Sequence, residues 1–263
     1  MNILLTNDDG FYAEGLSALY KKLKKKHCVT VIAPDRERSA VGHGITLYQP
    51  LRIKRIEYNG EYKGYSVDGT PADCIKIGIM ELLDSKPDIV VSGINPGSNI
   101  GININYSGTV AAAREASLFG IPSISVSTQG HKTDYCDEAA AIIDGLIKKI
   151  SEKGLPCGTF LNVNIPNLPL HKISGVMVCK QGVTIFGEYF EKRIDPRNRT
   201  YYWHGYQLPN TFKNKEIDEY ALSNNYIAIT PIKCDMTDYA MLENLKEWNI
   251  NKDFLSDEKK IHK

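Results

Sequence analysis

The sequence predicts a three-layer α/β fold, and two observations support this prediction. Continuous apolar runs occupy residues 3–6, 29–33, 89–92 and 123–126. Strands that are covered by helices on both faces show such continuous runs, which are typical of parallel sheets. Helical patterns stand between the runs, and strands that alternate with helices form a doubly wound sheet. We therefore expect a mostly parallel, Rossmann-like sheet between two layers of helices.

The first two helices are predicted from apolar spacing and from a capping sequence. In the first helix, apolar residues recur at i, i+3, i+4 and i+7, namely at Leu16, Leu19, Tyr20 and Leu23. A second apolar stripe covers residues 75–83. Thr70, Pro71 and Asp73 precede it and supply an N-cap, a proline at the first helical position and a carboxylate at the third. These three residues therefore need no catalytic explanation.

Two more helices are predicted in the middle of the chain. One covers residues 107–118, because Gly120 and Pro122 supply the chemistry that ends a helix. The other spans about residues 134–150. Each follows a predicted strand, so the alternation required by a doubly wound fold continues.

Beyond residue 158 the pattern changes to short β-type runs separated by turn residues. The runs cover residues 160–165, 176–179, 183–190 and 226–229. Residues 192–225 are polar, rich in Tyr and Arg, and too long for an ordinary connection, so we expect a projecting β-hairpin arm there. The charged stretch after residue 249 is expected to be a loose tail. The prediction is one domain over residues 1–263, with the added arm and a C-terminal extension.

Composition limits the partners and the compartment. The 32 Lys and Arg residues balance 31 Asp and Glu residues, and a net charge of +1 gives no general reason to expect nucleic acid or a membrane as partner. No leader pattern and no apolar run of spanning length occur, so a soluble, cytoplasmic protein is expected. The six cysteines form no C-x-x-C pair and indicate free thiols rather than three disulfides.

Two adjacent carboxylates, Asp8 and Asp9, directly follow the first predicted strand. Ligands of open α/β sheets bind outside the carboxyl ends of the strands, so this position suits a hard cation or a phosphate. Residues 7–10, Asn-Asp-Asp-Gly, are also a good turn sequence, because Asn and Asp bond to their own backbone and Gly accepts a positive φ. The choice between a site and a plain turn depends on other segments.

Three further segments follow strands at the same predicted edge and favour a site. Residues 33–39 follow the second strand, and residues 92–101 follow the third. In the latter, Asn95 offers an amide oxygen to a metal, and glycines let the backbone approach a ligand. Residues 105–109 lead into a helix whose free N–H groups favour an anion. Together the segments indicate a cation beside a phosphate pocket.

Several common catalytic motifs are missing from the sequence. It contains neither a G-x-x-x-x-G-K-[S/T] phosphate loop nor a G-x-G-x-x-G dinucleotide fingerprint. The absence of H-E-x-x-H and G-x-S-x-G disfavours zinc proteases and serine hydrolases. His43 is the histidine close to a candidate loop, in residues 41–46, and a structural role and a site role are both open for it.

Five motifs, in order along the first half of the chain, resemble those of the SurE family of survival-protein nucleotidases. They are residues 5–10, 33–39, 67–74, 92–95 and 106–110. The resemblance implies an enzyme that removes phosphate from nucleoside monophosphates. It also implies a divalent cation, Mg²⁺ or Mn²⁺, with four ligands, which are Asp8, Asp9, Ser39 and Asn95.

The same resemblance suggests how the chemistry is divided. The cation would neutralise phosphoryl oxygens and lower the pKa of a bound water, and Asp8 or Asp9 would orient that water as the catalytic carboxylate. The helix N–H groups would hold the substrate phosphate together with Ser107, Gly108 and Thr109. Which aspartate acts as the base stays open, because a carboxylate bound to a cation is a weaker base.

Two residues depart from the family pattern without replacing an implied ligand. Glu14 stands where proline is common, and Pro96 stands where a longer polar residue is usual. The family's projecting hairpin and exchanged C-terminal segment are compatible with residues 192–225 and 237–248. A homodimer or homotetramer is therefore expected.

Two rival functions stay open on the sequence alone. The first is a nucleotide-binding regulatory protein that uses the same crevice without turning substrate over. The second is a nucleic-acid surface on the arm, where bases would stack on aromatic side chains between basic residues. Its candidate residues are Tyr201, Tyr202, Trp203 and His204 with Arg193, Arg197 and Arg199. Nucleic acid is the less expected partner, because inserted arms more often bury aromatic residues at subunit contacts.

Overall fold

A nine-stranded sheet organises the part of the chain that the computed structural model describes, residues 1–58, 62–132, 134–183, 187–207 and 212–248. The described strands are β1 Asn2–Thr6, β2 Cys28–Pro34, β3 Ile53–Tyr58, β4 Tyr62–Val67, β5 Ile89–Pro96, β6 Ser123–Thr128, β7 Thr159–Ile165, β8 Gly175–Val178, β9 Gly187–Ile194, β10 Thr200–Gln207 and β11 Tyr226–Lys233. The sheet order is β3-β4-β2-β1-β5-β6-β7-β11-β8. β1 pairs in parallel with β2 and β5, whereas β3 and β4 are antiparallel. The predicted mostly parallel sheet is confirmed.

The described helices alternate with the strands over much of the chain. They are α1 Glu14–Leu23, α2 Pro71–Ile77, α3 Gly108–Leu118, α4 Cys136–Lys153, α5 Asp218–Ser223 and α6 Tyr239–Glu247. A π-helical turn, Gly78–Leu82, continues α2, and a 3₁₀ turn, Gly101–Asn105, precedes α3. No helix in these described ranges is long and apolar enough to cross a membrane. All six cysteines are free thiols, as predicted.

Helices pack on both faces of the sheet because the central strands are apolar on both sides. Leu5 of β1 belongs to a core that includes Leu19 of α1 and Ile147 of α4. Leu4, the next residue along β1, belongs to a second core with Ile75 of α2. All five side chains are buried. This burial on two sides is the reason that the strand sequences are continuously apolar.

The helix ends match the local signals in the sequence. Thr70 accepts a hydrogen bond from the Asp73 N–H, and the Asp73 carboxylate accepts one from the Thr70 N–H, so α2 begins with a capping box. Ser107 is the N-cap of α3. α4 lies slightly later than the predicted residues 134–150, and Gly154 follows its end with a φ of 73°.

The sequence patterns did not indicate β3 and β4. β3 reads Ile-Lys-Arg-Ile-Glu-Tyr, and it lies at the edge of the sheet. An edge strand that is partly solvated needs no continuous apolar run, and charged side chains protect such an edge from pairing with other chains. The search for buried strands therefore overlooked it.

The predicted arm is a regular hairpin with different bounds. β9 and β10 pair antiparallel as a separate two-stranded sheet, so the hairpin covers residues 187–207 instead of the irregular residues 192–225. Helix α5 falls within the predicted arm but is largely buried. The Asp218 carboxylate accepts hydrogen bonds from the Gly101 N–H at 3.0 Å and the Gly182 N–H at 2.9 Å. The polar composition of this segment did not predict a helix. The helix is held by bonds from Asp218 to backbone groups of distant segments.

The chain divides into two compact units, Met1–Ile232 and Lys233–Lys263. The first unit contains the large sheet. The second contains α6, whose N-cap Asp238 accepts a hydrogen bond from the Met241 N–H. The loose tail predicted after residue 249 lies outside the described residues.

The contribution of the α1 core is tested by Leu19→Ala. Leu19 is fully buried, so the substitution leaves a cavity and is expected to lower the free energy of unfolding by about 2–5 kcal/mol. The matched control is Leu118→Ala at the end of α3, where the side chain is 58% exposed and a change within about 0.5 kcal/mol is expected. Urea unfolding of both variants measures the difference. Equal losses would contradict the core assignment.

Candidate metal and phosphate site

The carboxyl ends of β2, β1 and β5 lie side by side at one edge of the sheet, because these strands are parallel neighbours. Four side chains from these ends line one cavity of about 460 Å³, and they are Asp8, Asp9, Ser39 and Asn95. The same cavity is also lined by Glu37, Asn99, Asn103, Tyr106, Ser107 and His131. The fold therefore collects at one place the four residues that the resemblance implied as ligands.

The turn after β1 is closed by Asn7, which leaves the aspartates for other contacts. The Asn7 Nδ2 donates to the Gly10 carbonyl at 2.9 Å, and its Oδ1 accepts from the Gly10 N–H at 3.2 Å. Gly10 has a φ of 104°, and a Cβ there would lie 3.2 Å from the Arg36 backbone. The sequence Asn-Asp-Asp-Gly is thus both a turn and the carrier of two carboxylates.

Asp8 is buried and held from the start of α3. The Thr109 hydroxyl donates a hydrogen bond to the Asp8 Oδ1. Gly108 packs against the same aspartate, since a Cβ at residue 108 would lie 2.8 Å from the Asp8 Cβ. Burial raises the pKa of Asp8 above its ordinary value, although the hydrogen bond from Thr109 acts in the opposite direction.

Asp9 is the less satisfied of the two carboxylates. Burial, followed by the negative charges of Asp8 and Glu37, raises the pKa of Asp9 to about 7. No described residue donates a hydrogen bond to its buried Oδ2. Buried carboxylates are ordinarily paired, hydrogen-bonded or bound to a metal. A cation between Asp8 and Asp9 would satisfy this oxygen and relieve the repulsion.

Asn95 and Ser39 are the two uncharged candidate ligands, and they would add an amide and a hydroxyl oxygen to the two carboxylates. The Asn95 Nδ2 donates to the Gly97 carbonyl at 2.6 Å, which fixes the orientation of the amide. The Ser39 hydroxyl donates to Glu37 at 2.6 Å and keeps lone pairs that accept or coordinate. In the described part of the chain no three His, Cys, Asp or Glu side chains group around a metal position. Two carboxylates with an amide and a hydroxyl oxygen fit Mg²⁺ or Mn²⁺, which prefer oxygen ligands.

Of the three residues predicted to hold phosphate, only Ser107 is among those that line the cavity. Its hydroxyl accepts a hydrogen bond from the Val110 N–H and so also caps α3. This helix begins beside the aspartates, and the positive end of its dipole favours an anion there. Thr109 is fully buried, and its hydroxyl is used by Asp8. A direct role of Gly108 and Thr109 toward phosphate stays a prediction.

His43 is bonded to Glu115 outside the cavity lining. Its Nε2 lies 2.7 Å from a Glu115 carboxylate oxygen, and the Lys76 Nζ lies 2.8 Å from the other. Burial acts to raise the pKa of Glu115, but the hydrogen bonds from His43 and Lys76 outweigh it, and the pKa is lowered. These contacts favour the structural interpretation of His43, as a tie between its loop and α3.

The sequence analysis missed His131, which lines the cavity from the segment after β6. Because β6 is a parallel neighbour of β5, the residues after its carboxyl end belong to the same edge. Glu37, Asn99 and Tyr106 lie within segments that had been singled out, but no pattern identified them individually. Their position became evident only from the loop conformations.

This chain is similar to known proteins over most of its length. The family model described as Survival protein SurE matches residues 3–188. The 5'-nucleotidase SurE of Desulfatibacillum aliphaticivorans is 50% identical over 252 residues, which cover 96% of this chain and 100% of the relative. The 5'-nucleotidase SurE of Syntrophobacter fumaroxidans is 46% identical over 250 residues, with coverages of 95% and 100%.

A solved structure supports the same relationship. The crystal structure of the SurE protein from Aquifex aeolicus superposes with a TM-score of 0.83 at 39% identity, covering 94% of this chain and 99% of that one. The sequence match extends over both the strand ends that form the cavity and the sheet that positions them. The chain therefore belongs to the SurE family.

Proposed function

We propose that the protein is a metal-dependent phosphomonoesterase that hydrolyses nucleoside 5′- and 3′-monophosphates to nucleoside and phosphate. The observation that carries the proposal is the adjacent pair of buried Asp8 and half-buried Asp9, which line a cavity that Ser107 also lines. The relatives named 5'-nucleotidase SurE support the nucleotidase class. The 3′ activity and the metal requirement come from the family resemblance and the donor set.

The cation would be Mg²⁺ or Mn²⁺, and its ligands would be Asp8, Asp9, Ser39 and Asn95. When bound, it supplies Lewis acidity toward the phosphate ester and a more acidic water. Thr109 keeps the Asp8 carboxylate in a fixed orientation through its hydroxyl. Both aspartates line the cavity, so both are candidates to orient the attacking water.

The start of α3 supplies the phosphate subsite in this proposal. The Gly108 N–H at the first helical position is suited to a phosphoryl oxygen, and Ser107 stands beside it as the N-cap, whereas the Thr109 N–H bonds to Asp8. Preorganised donors of this kind stabilise charge as it develops during phosphoryl transfer. Ser107 and the two aspartates line the same cavity, which supports this assignment.

We further propose that a second copy of this chain covers the hairpin of β9 and β10. Phe190 is 68% exposed, and Tyr202 and Trp203 are similarly exposed, which is a costly surface unless a partner covers it. Arg193 is bonded to Glu191, and Arg199 to Asp195, so carboxylates within the hairpin already pair these cations. This pairing favours subunit contact over nucleic acid, and identical subunits are the commonest partners.

Asp8→Asn and Asp9→Asn test the metal-dependent activity. Each is expected to lower phosphate release from AMP and 3′-AMP by at least about 100-fold, because losing a ligand should cost more than losing a group that only supports one. Chelator should abolish parent activity. Without metal, the variants should be as stable as the parent or more stable, since one repelling charge is gone.

The matched control is Asp88→Asn, at the opposite edge of the sheet, where the carboxylate accepts a hydrogen bond from the Asn2 N–H. Near-parental turnover by Asp8→Asn at saturating Mn²⁺ would show that the metal assignment is wrong. Binding of nucleotides by the parent without chelator-sensitive phosphate release would support the regulatory alternative.

Thr109→Val keeps the side-chain shape and removes the hydroxyl that orients Asp8. We expect the Mn²⁺ concentration for half-maximal activity to rise about 10-fold, as is typical when a support of a metal ligand is lost. Thr230→Val is the control, because Thr230 is equally buried and no described residue bonds to its hydroxyl. A rise in KM for the nucleotide alone would instead indicate a contact to ground-state phosphate. Unchanged kinetics would exclude both roles.

Replacement of residues 187–207 by a short Gly/Ser turn tests the hairpin as a subunit contact. The assembly mass measured by light scattering should fall, because the exposed aromatic surface is removed. Phosphate release from a small nucleotide should persist, since the candidate ligands lie elsewhere in the chain. A shortened protein that keeps its assembly mass but loses turnover would place the hairpin at the active site.

A further inference from the structure

Two buried asparagines on β7 hold the loop that follows the Asn95 strand end. Asn162 and Asn164 are both fully buried, and their spacing of two places them on the same face of the strand. Their side-chain amides reach the backbone of Asn99, which lines the candidate metal cavity. Neither asparagine lines that cavity itself.

Both polar groups of the Asn99 peptide are engaged. The Asn164 Oδ1 accepts from the Asn99 N–H at 2.8 Å, and its Nδ2 donates to the Asn99 carbonyl at 3.0 Å. The Asn162 Nδ2 donates to the same carbonyl at 2.7 Å. The Ser125 hydroxyl donates to the Asn162 Oδ1 at 2.8 Å and thereby sets the direction of that amide. The loop is held here by side chains in place of a neighbouring strand.

The side chain of Asn99 also bonds to β6, the strand that pairs with Asn95. Its Nδ2 donates to the Ser127 hydroxyl at 2.8 Å, and Ser127 lies opposite Asn95 in the register of β5 and β6. Gly97, between the two asparagines, donates its N–H to the Thr128 carbonyl at 3.0 Å and accepts the Asn95 amide. Residues 95–99 are thus fixed at both ends.

The burial of this network makes the loop position hard to change. Moving residue 99 away would leave several buried amide groups without partners, and such groups are costly in a medium of low dielectric. A loop held in this way presents the Asn95 amide to the two aspartates in one geometry. Groups that orient metal ligands in this manner are commonly as important for metal affinity as for stability.

We propose that Asn162, Asn164 and Ser127 are positioning residues for the cation, acting through Asn99 on Asn95. The inference rests on the proposed cation site at the strand ends. It goes beyond that site because none of the three side chains is a candidate ligand. The inference predicts that substitutions of these three residues lower the affinity for the cation, although their side chains are not candidate ligands.

Ser127→Ala and Ser123→Ala form a matched pair for the test. Both serines lie on β6 and are fully buried. The Ser123 hydroxyl donates to the Ala113 carbonyl at 2.7 Å, at the other end of the strand, and does not contact the loop. Each variant therefore loses one buried hydroxyl, but only Ser127→Ala weakens the hold on Asn99.

Isothermal titration calorimetry with Mn²⁺ alone is the direct measurement. Ser127→Ala is expected to bind Mn²⁺ about 10-fold more weakly than the parent, which is the lower end of the loss seen when a group that orients a metal ligand is removed. Asn164→Asp is expected to bind Mn²⁺ more weakly than Ser127→Ala. Ser123→Ala is expected to stay within about twofold of the parent despite a similar drop in Tm. Raising Mn²⁺ should restore kcat in Ser127→Ala.

Equal Mn²⁺ affinity in the parent, Ser127→Ala and Ser123→Ala would overturn the inference, because the network would then serve stability alone. Should Asn164→Asp fail to fold, Ser127→Ala decides the question by itself. A parent that binds no Mn²⁺ and releases no phosphate would refute the proposed function and the inference together. If the parent binds Mn²⁺ and Ser127→Ala binds it equally well, the inference alone fails and the proposed function stands.

Discussion

The repulsion between two adjacent carboxylates, one buried and one half-buried, is the constraint on which the rest of the site depends. Asp8 and Asp9 follow β1, an inner strand of the sheet that β2 and β5 flank, and burial raises the pKa of both. The surroundings satisfy one carboxylate through Thr109 and leave a buried oxygen of the other without a donor. An arrangement of this kind costs stability unless a cation joins it.

The parallel sheet explains how the candidate ligands are brought together. Neighbouring parallel strands end at the same edge, so three consecutive positions in the order β2-β1-β5 deliver the four candidate ligands. The helix that follows β5 begins at this edge as well, and its N-terminus faces the same cavity. In the proposed function, the positive end of the helix dipole would hold the anion and the negative aspartates would hold the cation.

Local sequence patterns predicted the inner strands, the helices that cover them, and the two aspartates after β1. The apolar runs of β1, β2, β5 and β6 are dictated by burial on both faces, and the capping box of α2 is written in adjacent residues. Ser39 came only from the family resemblance, because a hydroxyl has no distinctive pattern as a ligand. The bond between Thr109 and Asp8 joins residues 101 positions apart, and no local rule anticipates such a contact.

The hydrogen bond from the Gly101 N–H to Asp218 has a consequence for how the candidate site forms while the chain is being synthesised. Every candidate ligand is encoded in the first 95 residues, yet the side chains that bond to the backbone of Asn99 and Gly101 come from residues 162–218. A ribosome that has released only the first half of the chain has exposed all of the candidate ligands and Ser127, but none of these side chains. Competence to hold the ion should therefore arise late, when about four-fifths of the polypeptide has emerged.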